Sequence, residues 1–385
     1  MPLKRVIACL IALLFPLVSS AAELRQPDTY RTLTRIAFGS CAFQSVPQPI
    51  YRQVVASKPD LYISLGDAIY GDYDIETKTA YEVTPESLRR EWQVLADNPD
   101  WQYLVENVPV MATWDNHDYG HHSAGAEYPL KDESAEIFLD FFAEPSSSAR
   151  RQRPGIYDAR VFGPKGRRVQ IILLDTRSFK SPPLLAQRAE GAGGSLGKYA
   201  PNDDPEATLL GREQWAWLEQ QLTAPAELRL IASSGQIVAD QKGMDEWGNY
   251  PLERQRLFEL LGKTGANGVM LLSGNVHFSE ISITEEGPYP LVDFTSSGLT
   301  HIDEVYPAAP NRHRVAGPFV DKSFGLVEID WEQGGHPRIS LSAISLEGKK
   351  GFEFRPVVYF DGYRASRYSR ALQAVSQQLD WTQVP

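Results

Sequence analysis

The sequence predicts an α/β fold whose functional site lies at the carboxyl ends of the core strands. Short apolar runs typical of buried strands alternate with helical segments along the first two thirds of the chain, a pattern that favours a sheet with parallel pairs. The final third changes to extended segments, which add further sheet. Six of the apolar runs end in small, polar or ionisable residues, and ligands of open α/β sheets bind beyond the carboxyl ends of the strands.

Apolar runs bounded by turn residues predict core strands at 35–39, 60–65, 108–113, 168–174, 228–233 and 268–273. Between them, helical spacing predicts helices at 49–57, 84–97, 132–143, 211–223 and 253–264. The helix at 84–97 has a clear start, because Thr84 is a good N-cap and Pro85 suits the first helical position. Extended segments follow at 280–285, 290–296, 324–330 and 338–344, and we expect a last helix from about 364 to 379.

The N-terminus has the pattern of a secretory signal peptide over residues 1–22. Lys4 and Arg5 precede an apolar run that extends to about Val18, and small residues at 19–22 supply a cleavage site. The run is too short for a comfortable membrane span. We therefore expect a periplasmic or secreted protein.

The composition limits the partners. The chain is 42% hydrophobic and 11% aromatic, so it can bury a sizeable core, and its formal net charge is −11 at pH 7. This acidic balance argues against a nucleic-acid or anionic-membrane partner, which would require a basic face. After the signal peptide no segment is apolar enough to span a membrane, and we expect a monomer.

Cys41 is unusual for an exported chain. Cys9 lies inside the predicted signal peptide, so Cys41 has no partner for a disulfide within the chain, although exported proteins usually pair their cysteines. It is compatible with a buried, inert residue, an intermolecular disulfide, a nucleophile or a metal ligand.

The donors that follow the predicted strands suggest metal chemistry. Cys41, Asp67 and Tyr70 supply a thiolate, a carboxylate and a phenolate, which together suit a hard, highly charged ion such as ferric iron. Asn116 and His117 supply neutral donors for a second ion. Asp118 is expected to hold the tautomer of His117 or raise its pKa.

Six motifs in this order carry a resemblance to a known family: FGSC, SLGDAIYGD, TWDNHDYG, LLDTRSF, DEWGNYPLERQRL and LLSGNVHFSE. The sequence resembles the alkaline phosphatase D (PhoD-like) family of metallophosphoesterases from about residue 35 to 344. The resemblance implies a domain over residues 23–360 with a four-layer α/β/β/α sandwich, followed by a C-terminal helix and tail at 361–385. It implies hydrolysis of phosphomonoesters or phosphodiesters by a metal-activated hydroxide, with iron (Fe³⁺) and a divalent ion, Ca²⁺.

The resemblance also assigns residues to these roles. It gives Cys41, Asp67 and Tyr70 as iron ligands and His277 as a metal-binding histidine. It places Asn116 and Asn275 at the second ion. His117 matches the histidine that assists the leaving group or binds the substrate phosphate, with Asp118 as its partner.

The sequence departs from the family pattern in its last and third motifs. Asn275 replaces the usual aspartate, which removes a negative charge and should weaken divalent binding, and Asn116 replaces a second acid. Ala68 stands where some members have an arginine. Arg177 is a possible substitute cation for substrate phosphate, and equally a structural salt-bridge partner.

Two other functions remain open. One is a thiol hydrolase in which Cys41 is the nucleophile and His117 with Asp118 the base, although this leaves Asp67 and Tyr70 unused. The other is a non-catalytic relative that binds phosphate or metal. The substrate of the preferred hydrolase would be a small-molecule, lipid or polymer phosphate ester.

Overall fold

The computed structural model describes residues 24–187, 197–331 and 336–359. The predicted signal peptide and the predicted C-terminal helix and tail lie outside these residues. Within them, no helix is both long and apolar enough to cross a membrane.

Among the described residues, the α-helices all lie before residue 265. Their bounds are α1 (Ile50–Ala56), α2 (Pro85–Ala96), α3 (Pro99–Asn107), α4 (Asn116–Tyr119), α5 (Lys131–Phe141), α6 (Gly211–Leu222) and α7 (Pro251–Thr264). Thr84 caps α2 through a capping box with Ser87, as its sequence predicts.

The strands continue to the end of the described residues. Their bounds are β1 (Arg35–Gly39), β2 (Leu61–Leu65), β3 (Tyr73–Asp74), β4 (Thr79–Ala80), β5 (Val110–Thr113), β6 (Asp158–Phe162), β7 (Val169–Leu173), β8 (Leu184–Leu185), β9 (Tyr199–Ala200), β10 (Leu228–Ala232), β11 (Val269–Ser273), β12 (Ser279–Thr284), β13 (Leu291–Ser296), β14 (Arg314–Phe319), β15 (Ser323–Asp330), β16 (Arg338–Ser345) and β17 (Lys350–Phe354).

Two large sheets form the core. The first has the strand order β17-β16-β15-β1-β2-β5, and β1, β2 and β5 run parallel. The second has the order β14-β12-β13-β11-β10-β7-β6, and β7, β10, β11 and β13 run parallel. Antiparallel strands extend the first sheet at one edge, beyond β1, and the second sheet at both edges. The pairs β3–β4 and β8–β9 form two small separate hairpins.

Successive side chains of the strands point to opposite faces, and this alternation builds the layers. Phe38 and Leu230 point between the sheets, where the Phe38 ring meets Phe294 edge to face at 4.9 Å. Their neighbours Ala37 and Ile231 point outward, to helices α1, α2, α3 and α5 on the first sheet and to α6 and α7 on the second. The predicted four-layer α/β/β/α sandwich is confirmed.

Candidate metal centre

The strand-end loops of both sheets meet in one place. The backbone N–H of Asn275, after β11, donates to Ser40 Oγ, after β1, at 3.1 Å. Ser297, after β13, donates to Cys41 Sγ at 3.2 Å. Because parallel strands of the two sheets end on the same side, residues distant in sequence form one buried site, as the strand ends predicted.

Two glycines allow these loops to approach each other. A Cβ on Gly66 would lie 2.4 Å from the backbone nitrogen of Asp115, and Gly66 also has a φ of +100°. A Cβ on Gly274 would lie 2.4 Å from Ser40 Oγ. A larger residue at either position would separate loops that carry candidate ligands.

The backbone of the candidate ligands is strained. Cys41, Asp67, Asn275 and His277 have φ values of 65°, 50°, 70° and 61°. They are half of the eight non-glycine residues with positive φ among those that the structure describes. Such conformations cost free energy, and they cluster at functional sites where the surrounding structure fixes them. The strain therefore supports a functional role for these loops.

Cys41, Asp67 and Tyr70 come together as predicted. Cys41 is fully buried and its Sγ lies 3.4 Å from Asp67 Oδ2. Burial raises the pKa of the Cys41 thiol, and burial together with Cys41 raises the pKa of Asp67 well above its usual range. Tyr70 is 3% exposed. Acidic groups crowded in a buried site are stabilised in their charged forms by a nearby cation, so this donor set fits a metal ion.

Two histidines complete this side of the site. His277, a predicted ligand, has its ring 4.4 Å from that of His301. His301 Nε2 lies 3.0 Å from the hydroxyl of Tyr70. Burial lowers the pKa of His277 to about 4 and that of His301 to about 2, so both rings are neutral and able to bind metal. Sequence analysis missed His301. It lies in the loop after β13, which runs parallel to β11, so the order of strand ends could have indicated it.

The second-ion residues lie around the same centre. The Asn275 side-chain N–H₂ donates to the backbone carbonyl of Asp245 at 3.2 Å, which leaves its carbonyl oxygen for a ligand. Asn116 Nδ2 lies 3.2 Å from His122 Nδ1. Asp115 was not predicted, yet it is 1% exposed and its Oδ2 has no hydrogen-bond partner among the described residues. An unpartnered buried carboxylate oxygen is costly, and a bound cation would satisfy it.

The predicted partnership of His117 with Asp118 is wrong. His117 Nδ1 bonds instead to Asp72 Oδ1, at 2.5 Å. Asp118 accepts backbone N–H groups from Asp67, Ala68 and Ile69, at 2.5, 2.9 and 3.0 Å. Asp118 cannot turn toward His117 without releasing the loop that carries Asp67, so it positions that loop. Asp72 is itself buried.

Arg177 is engaged by carboxylates. It is 2% exposed, and its guanidinium bonds to Asp115 and, at 2.6 Å, to Asp245. Lys180 also bonds to Asp245, at 2.8 Å. These contacts favour a structural salt-bridge role for Arg177. Direct binding of substrate phosphate by Arg177 stays a prediction.

A further group of possible metal ligands lies elsewhere. Ligand atoms of Asp240, Glu286 and His313 all lie within 4.8 Å of one another. The Arg312 guanidinium bonds to both carboxylates, at 2.5 and 3.2 Å, and Arg254 bonds to Glu286 at 2.5 Å, so the two negative charges are already balanced. We assign no metal to this surface group.

The two-sheet sandwich, with a thiol, carboxylates and histidines at its strand ends, defines the metallophosphoesterase class of folds. The PhoD-like phosphatase family matches residues 36–306, and the chain belongs to this family. Alkaline phosphatase D of Bacillus subtilis (strain 168) is 25% identical over 294 residues, which cover 68% of this chain and 49% of that protein. The chain thus spans about half the length of this curated relative.

A solved structure supports the fold. The structure titled "Structure of PhoD" aligns with a TM-score of 0.62 and 19% identity, over 86% of this chain and 73% of that chain. A 5'-nucleotidase precursor from Thermus thermophilus aligns more loosely, with a TM-score of 0.36 and 12% identity over 90% and 58% of the two chains. Only the first alignment supports the fold assignment.

Proposed function

We propose that this protein is an exported, metal-dependent phosphohydrolase that cleaves phosphomonoesters or phosphodiesters. The observation that carries this proposal is the convergence of Cys41, Asp67 and Tyr70 in one buried site beside His117, at the positions of the family motifs. The proposed unit is the domain over residues 23–360, preceded by a signal peptide that is removed.

We further propose that Fe³⁺ is held by Cys41, Asp67, Tyr70 and His277. A divalent ion, Ca²⁺, would be held by the side-chain oxygens of Asn116 and Asn275. His301 and Asp115 are close enough to this centre to add donors. When bound, the ions would polarise the phosphoryl oxygens and lower the pKa of a water molecule, which supplies the nucleophile.

The residues of the chain then bind the ester and move a proton. His117 donates a proton to the leaving oxygen, and its imidazolium is stabilised by Asp72. Burial lowers the pKa of His117, but the neighbouring carboxylates of Asp67 and Asp72 outweigh burial and raise that pKa overall. A raised pKa extends the pH range over which the ring is protonated, as a general acid requires.

Iron content tests the metal assignment. The purified protein should contain iron and show a visible absorption band from ferric–phenolate charge transfer, which Tyr70→Phe abolishes. A conservative control, Tyr30→Phe, changes an exposed tyrosine and should keep the band. A colourless, iron-free and fully active enzyme would contradict the assignment.

A panel of phosphomonoesters, phosphodiesters and carboxylic esters tests the activity. Phosphate-ester turnover supports the proposal, and activity on carboxylic esters alone would support the thiol hydrolase. The partners of Cys41 Sγ are Ser40, Asp67 and Ser297, with no histidine among the described contacts, which disfavours that alternative. Bound metal without turnover of any ester would support a binding protein.

A further inference from the structure

A cleft opens directly beside the candidate metal centre. Its volume is about 430 Å³, and Tyr70 forms part of its wall. Tyr73, also in the wall, has its ring 6.5 Å from that of His117. The cleft therefore lies on the side of the site from which His117 would protonate a departing alcohol, and it is large enough for a small alcohol group.

The wall of this cleft is aromatic. Phe43, Tyr70, Tyr73 and Tyr81 all line it. The rings of Phe43 and Tyr70 pack on each other at 4.2 Å and on His301 and His117, so the ring faces offered to a ligand are those of Tyr73 and Tyr81. Faces of aromatic rings carry negative electrostatic potential, which attracts cations, and the attraction grows when water is excluded.

The charges around the cleft also favour a cation. Three carboxylates line it, from Asp74, Glu76 and Glu91, against one cation, Arg90. That cation bonds to Glu91 at 3.1 Å and its side chain is 65% exposed, so it points largely to solvent. Burial, and then the charge of Glu91, raise the pKa of Tyr81 to about 12. An anionic alcohol group would be repelled here.

We propose that this cleft binds the alcohol portion of the substrate and selects an amino alcohol with a quaternary ammonium group, as in choline phosphate. This inference rests on the proposed function. In the reaction, the oxygen of water bonds to phosphorus, the bond between phosphorus and the alcohol oxygen breaks, and that oxygen takes a proton from His117. The proton that the water loses restores His117 through solvent. The products are inorganic phosphate and the free amino alcohol.

Choline and its uncharged isostere 3,3-dimethylbutanol test the cleft as competitive inhibitors of nitrophenyl phosphate hydrolysis. They share one shape and differ by one charge, and neither has a leaving group to complicate the comparison. Choline should bind more tightly, with an inhibition constant lower by about threefold to thirtyfold. Choline phosphate should correspondingly have a higher kcat/KM than 3,3-dimethylbutyl phosphate.

Substitutions in the wall assign that preference to this cleft. Glu91→Gln keeps an acceptor for the Gln44 side chain, which donates to Glu91 at 2.9 Å, and removes the charge. Tyr73→Leu keeps an apolar wall and removes the ring. Each should reduce the ratio of the two inhibition constants. Glu136→Gln makes the same acid-to-amide change in a different surface cleft, on α5, and should leave the ratio and the turnover unchanged.

The failures of the two proposals are distinguishable. If nitrophenyl phosphate is hydrolysed, either of two results would overturn the cleft assignment. One is equal inhibition constants for choline and 3,3-dimethylbutanol, and the other is a ratio of these constants that Glu91→Gln and Tyr73→Leu leave unchanged. Absence of hydrolysis of every ester would overturn the proposed function instead. In that case calorimetric titration of choline into the same variants still tests the cleft, and absence of binding to the unmodified protein would overturn it.

Discussion

His117 lies between two carboxylates, and this position decides what its substitution should do. Its backbone N–H donates to Asp67 Oδ1 at 3.2 Å, and its ring bonds to Asp72. His117→Ala should lower turnover of an alkyl phosphate by about 10²–10⁴-fold, because an alkoxide leaving group needs a proton. A nitrophenyl ester needs none and should lose much less activity. Equal losses on both substrates, with metal content unchanged, would make His117 a phosphate-binding or structural residue.

Asp72 gives a pH test of the same role. Because carboxylates raise the pKa of His117, this proposed general acid stays protonated further into the alkaline range. Asp72→Asn removes one of these charges, so the alkaline limb of kcat for an alkyl phosphate should move to lower pH. Asp118→Asn, whose partners are backbone N–H groups, should instead reduce metal content and stability without this shift. If the alkaline limb moves in Asp118→Asn and not in Asp72→Asn, Asp118 would be the partner of His117 after all.

Asn275 should limit the affinity for the divalent ion. An amide oxygen is a weaker ligand for calcium than the carboxylate oxygen of the aspartate that is usual in this motif. Asn275→Asp should therefore lower the Kd for Ca²⁺ in calorimetric titration and reduce the dependence of activity on added cation. Asn267→Asp, in the loop at the opposite end of β11, adds the same charge away from the site. Equal Ca²⁺ affinity in Asn275→Asp and the unmodified protein would exclude this role.

At the scale of elements, the contact between the loops after β1 and β11 should tolerate no added atom. Gly274→Ala places a Cβ against Ser40 Oγ, next to Cys41. We expect a loss of about 1–3 kcal/mol in the free energy of unfolding, together with reduced iron content. Gly262→Ala is the matched control, because its Cβ in α7 would meet Pro288 at an ordinary 3.5 Å. Undiminished stability and iron content in Gly274→Ala would show that the loops separate freely.

The elements also show how far the sequence alone leads. Within the residues that the structure describes, the predicted core strands and helices match the structure to within about two residues, since apolar periodicity records burial directly. Helix α3 was missed although Asn98 and Pro99 give it a good start signal, and β6 was missed because Asp158 and Arg160 interrupt its apolar pattern.

The sequence also predicted one part of the candidate site and missed another. Motif positions predicted Cys41, Asp67 and Tyr70 together. They could not predict that Asp72 bonds to His117 or that His301 reaches Tyr70, because each of these pairs forms between different loops. Such contacts depend on how loops fold over the strand ends, and spacing along the chain does not record that.

At the scale of the whole molecule, the packing between the two sheets is the main structural support. Phe38 is fully buried there against Phe294. Phe38→Ala should lower the free energy of unfolding by about 3–5 kcal/mol, from lost burial and the cavity that remains. Leu184→Ala, at a position 49% exposed, should change it by less than about 0.5 kcal/mol. Denaturant unfolding measures both, and similar values would contradict a tightly packed interface.

The pairing of β1 with β15 has a consequence for how the chain reaches this state. Arg35, at the start of the described fold, lies opposite Glu328, close to its end. Pairings between residues so far apart in sequence form slowly, because a long loop must close before any contact stabilises it. A chain whose β15 has not yet been made or exported therefore has an unpaired edge at β1. The loop with Cys41 follows that edge, so iron loading should report on completed folding rather than precede it.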